Sequence, residues 1–99
     1  MISKEKKKKI EERKNWLEQK LETQYETAFE ITGGKCFKSE SNTFFLVTPL
    51  SWANAIVVEY APTEEGARKN LFEDGDLFYM DELNREEMLK KILVEIGES

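Results

Sequence analysis

The chain has 99 residues, of which 39% are hydrophobic and 35% are charged, and its formal net charge is −5. A chain of this length buries roughly 65% of its unfolded surface, which allows one core and excludes two. The apolar residues are clustered, which argues against an intrinsically disordered chain. We therefore expect one small domain over residues 1–99, in which residues 1–9 form a frayed, basic helix start.

The charge is unevenly distributed along the chain. Residues 1–22 carry eight Lys or Arg and five Glu, a net charge of +3. Residues 23–99 carry seven Lys or Arg and fifteen Asp or Glu, a net charge of −8. An acidic body disfavours nonspecific binding to nucleic acids and to anionic membranes, and it favours a basic partner.

Cysteine content and hydropathy indicate a cytoplasmic location. Cys36 is the only cysteine, so an intrachain disulfide is impossible and a disulfide-stapled secreted scaffold is excluded. No apolar run approaches the roughly 18 residues of a membrane span. The basic residues 1–9 are not followed by the apolar segment of a signal peptide.

The first predicted element is a long helix from Lys4 to Phe29, with Ser3 as its N-cap. Its apolar residues recur at spacings of three, four and seven, which is typical of a helix packed along one stripe. Two interpretations of Gly33-Gly34 remain open. The preferred one ends the helix near Glu30; the alternative places Gly-Gly at the tip of a two-residue hairpin.

The centre of the chain predicts a sheet. Lys35–Ser39, Thr43–Thr48 and Asn54–Ala61 are expected to be strands, and the consecutive apolar residues 44–47 predict a strand that is buried on both faces. In the third of these strands Ile56, Val58 and Tyr60 share the face that we expect to pack against helices. Phe45 and Val47 are assigned to the opposite face.

The last third of the chain predicts a short helix over Glu64–Glu73 with Thr63 as N-cap, and then a strand or packed loop over Asp76–Met80. Asn84 and Glu87 have the spacing of a capping box, and the stripe that follows predicts a final helix. The resulting fold class is α+β: a three- or four-stranded antiparallel sheet with the long N-terminal and C-terminal helices packed on one face, in the order α-β-β-β-(α)-(β)-α.

Groups that commonly carry catalysis are scarce. The chain has no histidine, which removes the usual general base near neutral pH and the commonest metal ligand. Cys36 is expected to be a buried structural thiol. The carboxylates near Gly75 lack the ligand alternation of a calcium-binding loop. We therefore predict no enzymatic activity, no metal and no cofactor; an enzyme with a carboxylate metal site is the third-ranked hypothesis.

An acidic tract with interspersed aromatic residues is the candidate binding site. Residues 59–87 carry ten Asp or Glu and three Lys or Arg. Apolar anchors ringed by carboxylates suit the capture of a basic protein surface. The predicted partner-binding residues are Trp52, Phe72, Glu73, Asp74, Asp76, Phe78, Tyr79, Asp81 and Glu82.

The favoured functional hypothesis is a small, acidic, non-catalytic binding protein, of the inhibitor or immunity type, that masks a basic protein partner. The alternative is a nucleic-acid-associated accessory protein that uses the basic segment Lys4–Lys14, although the acidic body makes nucleic acid a less favourable partner. A homodimer is a further expectation, because Phe45 and Val47 are predicted to leave the second face of the sheet without a cover.

Overall fold

The computed structural model describes residues 3–98, apart from the side chain of Asp74. It confirms the α+β class and corrects the strand count, since the sheet has five antiparallel strands in the order β1-β2-β3-β4-β5. Each strand therefore pairs with its neighbour in the sequence. The elements are α1 (Lys4–Glu22), β1 (Glu26–Ile31), β2 (Gly34–Lys38), β3 (Phe44–Leu50), a 3-10 turn (Ser51–Ala53), β4 (Ala55–Ala61), α2 (Glu64–Arg68), β5 (Glu73–Tyr79) and α3 (Arg85–Glu98).

Helix α1 begins as predicted but ends earlier. The hydroxyl of Ser3 accepts a hydrogen bond from the backbone N–H of Lys6 at 3.2 Å. The prediction that the helix continues to Phe29 is wrong, because α1 ends at Glu22. The following segment Glu26–Ile31 contains β-branched and aromatic residues, and it forms β1 by pairing with β2, which supplies stabilisation that local periodicity does not reveal.

The preferred interpretation of Gly33-Gly34, a helix end near Glu30, is also wrong. The alternative, a two-residue hairpin, is correct except for the position of its tip. Ile31 pairs with Gly34, so the two-residue loop between β1 and β2 consists of Thr32 and Gly33. Gly33 has a φ of +84°, a left-handed conformation that glycine adopts without the steric cost of a Cβ. The tip therefore lies one residue earlier than the predicted Gly33-Gly34.

One face of the sheet packs against α1 and α3 and forms the main core. The assignment of Phe45 and Val47 to the opposite face is wrong. They lie directly across from Tyr60 and Val58 on β4, and cross-strand partners share a face. Both are almost fully buried, so the argument for a dimer through these two side chains does not hold. The core comprises Ile10, Leu17, Leu21, Phe37, Phe45, Val47, Ile56, Val58, Phe78, Met88, Ile92 and Ile96.

The other face is covered in part by the short helix α2. Cys36, Phe44 and Ala61 pack there with Ala67 of α2. Helix α2 is shorter than the predicted Glu64–Glu73, since it ends at Arg68. Asn70 takes a φ of +60°, and the N–H of Leu71 bonds to the carbonyl of Gly66 at 2.8 Å. This 6→1 bond is the pattern that terminates a helix with a left-handed residue.

The end of the chain follows the sequence prediction. Of the run Asp76–Met80, predicted as a strand or packed loop, residues 76–79 belong to β5, an edge strand that pairs with β4, and Met80 follows it. Glu87 N–H donates to Asn84 Oδ1 at 2.9 Å, and Asn84 N–H donates to Glu87 Oε1 at 3.1 Å. These two reciprocal bonds confirm the predicted capping box, and α3 starts at Arg85.

Candidate partner interface at the β5 edge

Strand β5 is an edge of the sheet, and its side chains alternate between the two faces. Ile56 lies opposite Phe78, and Val57 lies opposite Leu77. Phe78 is 7% exposed and belongs to the core beneath the helices. Leu77 and Tyr79 therefore point to the other face, where they are 37% and 39% exposed.

Helix α2 covers one end of the face that carries Leu77 and Tyr79. Helix α2 contacts β3 and β4, and its Ala67 packs on the end of the face that holds Cys36, Phe44 and Ala61. Leu77 and Tyr79 lie at the other end, beside Val57 and Ala55. At this end Val57 and Ala55 are buried, whereas Leu77 and Tyr79 on the edge strand are partly exposed.

The turn after β5 is tied to the start of β4, which brings Trp52 to the same end of the sheet as Tyr79. Asn54 follows the 3-10 turn with a φ of +50°. Its carbonyl accepts a hydrogen bond from the N–H of Met80 at 2.9 Å, and its side-chain amide donates to Asp81 at 3.3 Å. Trp52, inside that 3-10 turn, is 77% exposed.

Exposed carboxylates lie on β5 itself and in the turn that follows it. Glu73 and Asp76 on β5 are exposed, as are Asp81 and Glu82 in the turn that follows. The side chain of the predicted site residue Asp74 lies outside the described part of the chain. We use the term β5 edge surface for the exposed side chains of Trp52, Asp76, Leu77, Tyr79, Asp81 and Glu82.

Two of the nine predicted contact residues pack within the fold. Phe78 is buried in the main core. Phe72 is half-buried and packs against the cluster beneath α2. Trp52 and Tyr79 are thus the two predicted aromatic residues that the structure leaves exposed at one end of the sheet.

The sequence prediction missed three exposed apolar residues. Leu77 lies inside the predicted strand but is not among the predicted site residues. The alternation of side chains along Asp76–Met80 nevertheless places Leu77 and Phe78 on opposite faces of the sheet. Leu71 and Val94 are 64% and 60% exposed. The exposure of Leu71 depends on where α2 ends, which the sequence pattern alone does not indicate. Val94 lies two residues from both Ile92 and Ile96, on the side of α3 away from these buried residues.

A groove between β5 and α3 adjoins the edge on the helix side. Phe78 and Val94 supply its apolar lining, and Lys90 and Lys91 are its basic residues. The carboxylate of Glu95 accepts a hydrogen bond from the backbone N–H of Asp76 at 3.0 Å. The groove is lined by Asp76, Phe78, Lys90, Lys91, Val94, Glu95 and Glu98.

The thiol of Cys36 is buried, as predicted. It is fully inaccessible to solvent, and burial raises its pKa to about 11. A thiol with this pKa is protonated at neutral pH, whereas the thiolate is the nucleophilic form. Within residues 3–98, leaving aside the side chain of Asp74, no three His, Cys, Asp or Glu groups are placed to hold a metal ion.

The basic start of α1, residues 4–9, is exposed, and its last lysine, Lys9, lines a cavity together with Met80 and Arg85, which follow β5. Residues 4–9 are helical and exposed, and Ile10 is the first buried residue of the helix. Further along α1, Trp16 packs against the core, with the guanidinium of Arg85 4.8 Å from its ring centroid. The helices of the described part of the chain include none with the length and apolarity needed to cross a bilayer.

Comparison of the chain with family models, with curated proteins and with solved structures gave no match. The functional inference therefore depends on the arrangement of the residues described above.

Proposed function

We propose that this protein is a non-catalytic, cytoplasmic binding protein that masks a basic protein partner, in the manner of an inhibitor or immunity-type factor. The β5 edge surface is the contact region. The observation that supports this function is the exposure of Trp52, Leu77 and Tyr79 together with that of the carboxylates of Asp76 on the same strand and of Asp81 and Glu82 in the turn that follows it.

The two kinds of side chain have different roles in this proposal. Carboxylates attract a cationic partner and raise the rate of encounter, an effect that salt screens. Aromatic and aliphatic side chains supply most of the binding energy once they are desolvated. A surface with exposed carboxylates and exposed apolar residues provides both, and the net charge of −8 over residues 23–99 extends the attraction beyond the contact region.

A peptide array tests this function. The peptides should share one apolar content and range from net negative to net positive charge. We expect the wild-type protein to select positively charged peptides, and we expect binding to weaken as salt is added. Selection of neutral or acidic peptides would contradict the proposal.

Matched variants locate the contact region. We expect the double variant Trp52→Ala/Tyr79→Ala to lose binding about tenfold or more, as is usual for central aromatic contacts. Leu71→Ala is the control, because Leu71 is exposed but precedes the opposite end of β5. If Leu71→Ala loses as much affinity as the double variant, the contact region lies elsewhere.

Exposure of the Lys-rich start of α1 favours a second candidate, an accessory role on nucleic acid. Residues 4–9 contain five lysines, and all are exposed. Phosphate contacts by such residues would make affinity fall steeply with salt. An electrophoretic shift of duplex RNA or DNA that is lost when Lys6, Lys7 and Lys8 are replaced by Glu would support this role; an unchanged shift would remove it.

A further inference from the structure

We infer that the partner of the β5 edge surface binds as an extended segment that adds a sixth strand to the sheet beside β5, with apolar residues on one side and Arg or Lys on the other. This inference rests on the proposed function and adds the binding mode and the chemical class of the partner segment. Leu77 is at the centre of the contact.

The hydrogen-bond pattern of β5 leaves backbone groups of Leu77 on the outer side of the sheet. In an antiparallel pair, residues alternate between those that bond to the partner strand and those that bond away from it. Met80 N–H bonds to Asn54, and Ile56 is the partner of Phe78. The bonded positions of β5 are therefore Met80 and Phe78, so the N–H and C=O of Leu77 and the N–H of Tyr79 point away from β4.

Intramolecular bonds limit the open stretch at both ends. On one side, the N–H of Asp76 already donates to the Glu95 carboxylate. On the other, the carbonyl of Tyr79 accepts hydrogen bonds from the N–H groups of Glu82 and Leu83, both at 3.2 Å. A short added strand would thus form three backbone hydrogen bonds, two with Leu77 and one with Tyr79.

Space is present along this stretch. A cleft of about 590 Å³ borders the edge and is lined by residues of β5 and by Glu82, Leu83 and Lys91. Edge strands that carry exposed apolar side chains and unpaired backbone groups are templates for pairing with another chain. The cleft gives an incoming backbone access to Leu77.

The side chains on the two sides of the edge define the sequence of the incoming segment. On one face it meets the exposed Leu77 and Tyr79, which favour apolar residues. On the helix face it meets the groove with three carboxylates, those of Asp76, Glu95 and Glu98, and two lysines. The net negative charge of that groove favours Arg or Lys at alternate positions, because side chains of a strand alternate between faces.

The test compares two peptides with the same charge. One is an acetylated, amidated peptide that alternates Arg and Val; the other replaces every Val by Pro, which cannot donate in a ladder. Affinity for the full-length protein is measured by fluorescence anisotropy, and amide exchange is measured by NMR. We expect the Arg-Val peptide to bind at least about tenfold more tightly and to slow amide exchange at Leu77 and Tyr79.

The possible outcomes separate the two proposals. Equal binding of both peptides without protection of the Leu77 amide would overturn strand addition while leaving the proposed function standing. Binding of neither peptide would overturn both. If the Leu77 amide is already protected without peptide and sedimentation shows a dimer, a second copy of the chain occupies the edge and the inference of a basic segment is overturned.

A pair of variants at one residue separates backbone recognition from side-chain recognition. Leu77→Pro removes the outward N–H, whereas Leu77→Ala keeps it and removes the side chain. We expect Leu77→Pro to lower the affinity for the Arg-Val peptide about tenfold more than Leu77→Ala does. Equal losses would overturn strand addition, provided that circular dichroism shows both variants folded; amide protection in the wild-type protein decides the question if Leu77→Pro does not fold.

Discussion

The two edge strands of the sheet, β1 and β5, share features that prevent edge-to-edge pairing, yet only β5 also has an exposed apolar stretch. Both β1 and β5 contain an extra residue relative to the paired strand: Ala28 in β1, and one within Gly75-Asp76 in β5. Both also carry exposed carboxylates. Bulges and charges are common means of preventing edge-to-edge association. On β5 they occupy the first half of the strand, and Leu77 and Tyr79 follow them.

The two edges differ further in how they are anchored. The hairpin of β1 and β2 is fixed to α1 by a buried ion pair, in which Lys14 Nζ lies 3.1 Å from a Glu18 oxygen. Lys14 also donates to the carbonyl of Gly33, and Glu18 accepts from the backbone N–H of Lys35 at 3.0 Å. On β5 the bond between Glu95 and Asp76 precedes the apolar stretch. An edge held by a buried network suits a structural role, and an edge left open suits binding.

The largest expected effect is loss of the anchor at the β1 side. Lys14→Ala leaves the Glu18 carboxylate, which is 12% exposed, without its cation. Removing one partner of a buried pair costs about 3 to 5 kcal/mol, and we expect the free energy of unfolding to fall by that amount in a urea titration. The control is Lys9→Ala, whose ion pair with Glu5 is exposed and contributes less than about 1 kcal/mol. Similar losses in both variants would contradict the anchoring role.

The next largest effect is expected at the bulge of β5, where a substitution tests how closely this edge is packed. A Cβ on Gly75 would lie 2.7 Å from the carbonyl oxygen of Val58 and 2.6 Å from the ring of Tyr60. Because the contact with Val58 is with backbone, its relief requires the strand to shift, and we expect Gly75→Ala to lower the free energy of unfolding by about 1 to 3 kcal/mol.

Gly97 provides the matched control for that substitution. A Cβ at this position meets no atom within 4 Å, and the residue is helical. Ala is favoured over Gly in a helix by about 0.5 to 1 kcal/mol. Gly97→Ala should therefore be neutral or stabilising in the same titration, and equal destabilisation at both sites would exclude close approach as the cause at Gly75.

The sequence predicted those elements whose pattern is complete within one segment. The capping box of Asn84 and Glu87 and the apolar stripe after it identify α3, and the consecutive apolar residues 44–47 identify a strand buried on both faces. The end of α1 was mispredicted because Tyr25, Ala28 and Phe29 continue the helical spacing. Only pairing with β2, a contact between segments, shows that β1 is a strand.

The surface residues of the candidate site could be identified from the sequence only in part, for the same reason. Tyr79 and the exposed carboxylates could be found from composition, since they lie in the acidic tract of residues 59–87, whereas Trp52 lies outside that tract. Phe78 was misplaced because the faces of β5 depend on its register with β4. Burial of Lys14 could not be predicted, since its partners include a carbonyl in the hairpin loop, a location known only once the fold is formed.

A smaller effect is expected from pH at Cys36, on the strand next to β1. Burial raises the pKa of this thiol from 9.0 to about 11. Between these values the unfolded chain loses the proton while the folded chain keeps it, so stability is lost as pH rises. Compared with Cys36→Ala, the wild-type protein should show a steeper fall in the free energy of unfolding from pH 9 to pH 11. Parallel pH profiles would contradict this assignment.

The smallest effect on stability is expected at the open edge itself. Leu77→Lys places a charge where the side chain is already partly exposed, and we expect the free energy of unfolding to change by less than about 0.5 kcal/mol. The same substitution at Phe29 on the β1 edge should cost clearly more, because Phe29 packs against the cluster beneath α2 with the Arg68 guanidinium 4.4 Å from its ring centroid. Urea titrations of the two variants give the comparison directly. If Leu77→Lys is as destabilising as Phe29→Lys, Leu77 contributes to packing within the fold and the edges do not differ in function; if it is neutral while binding of the Arg-Val peptide is lost, the apolar stretch of β5 is dispensable for folding and required for binding.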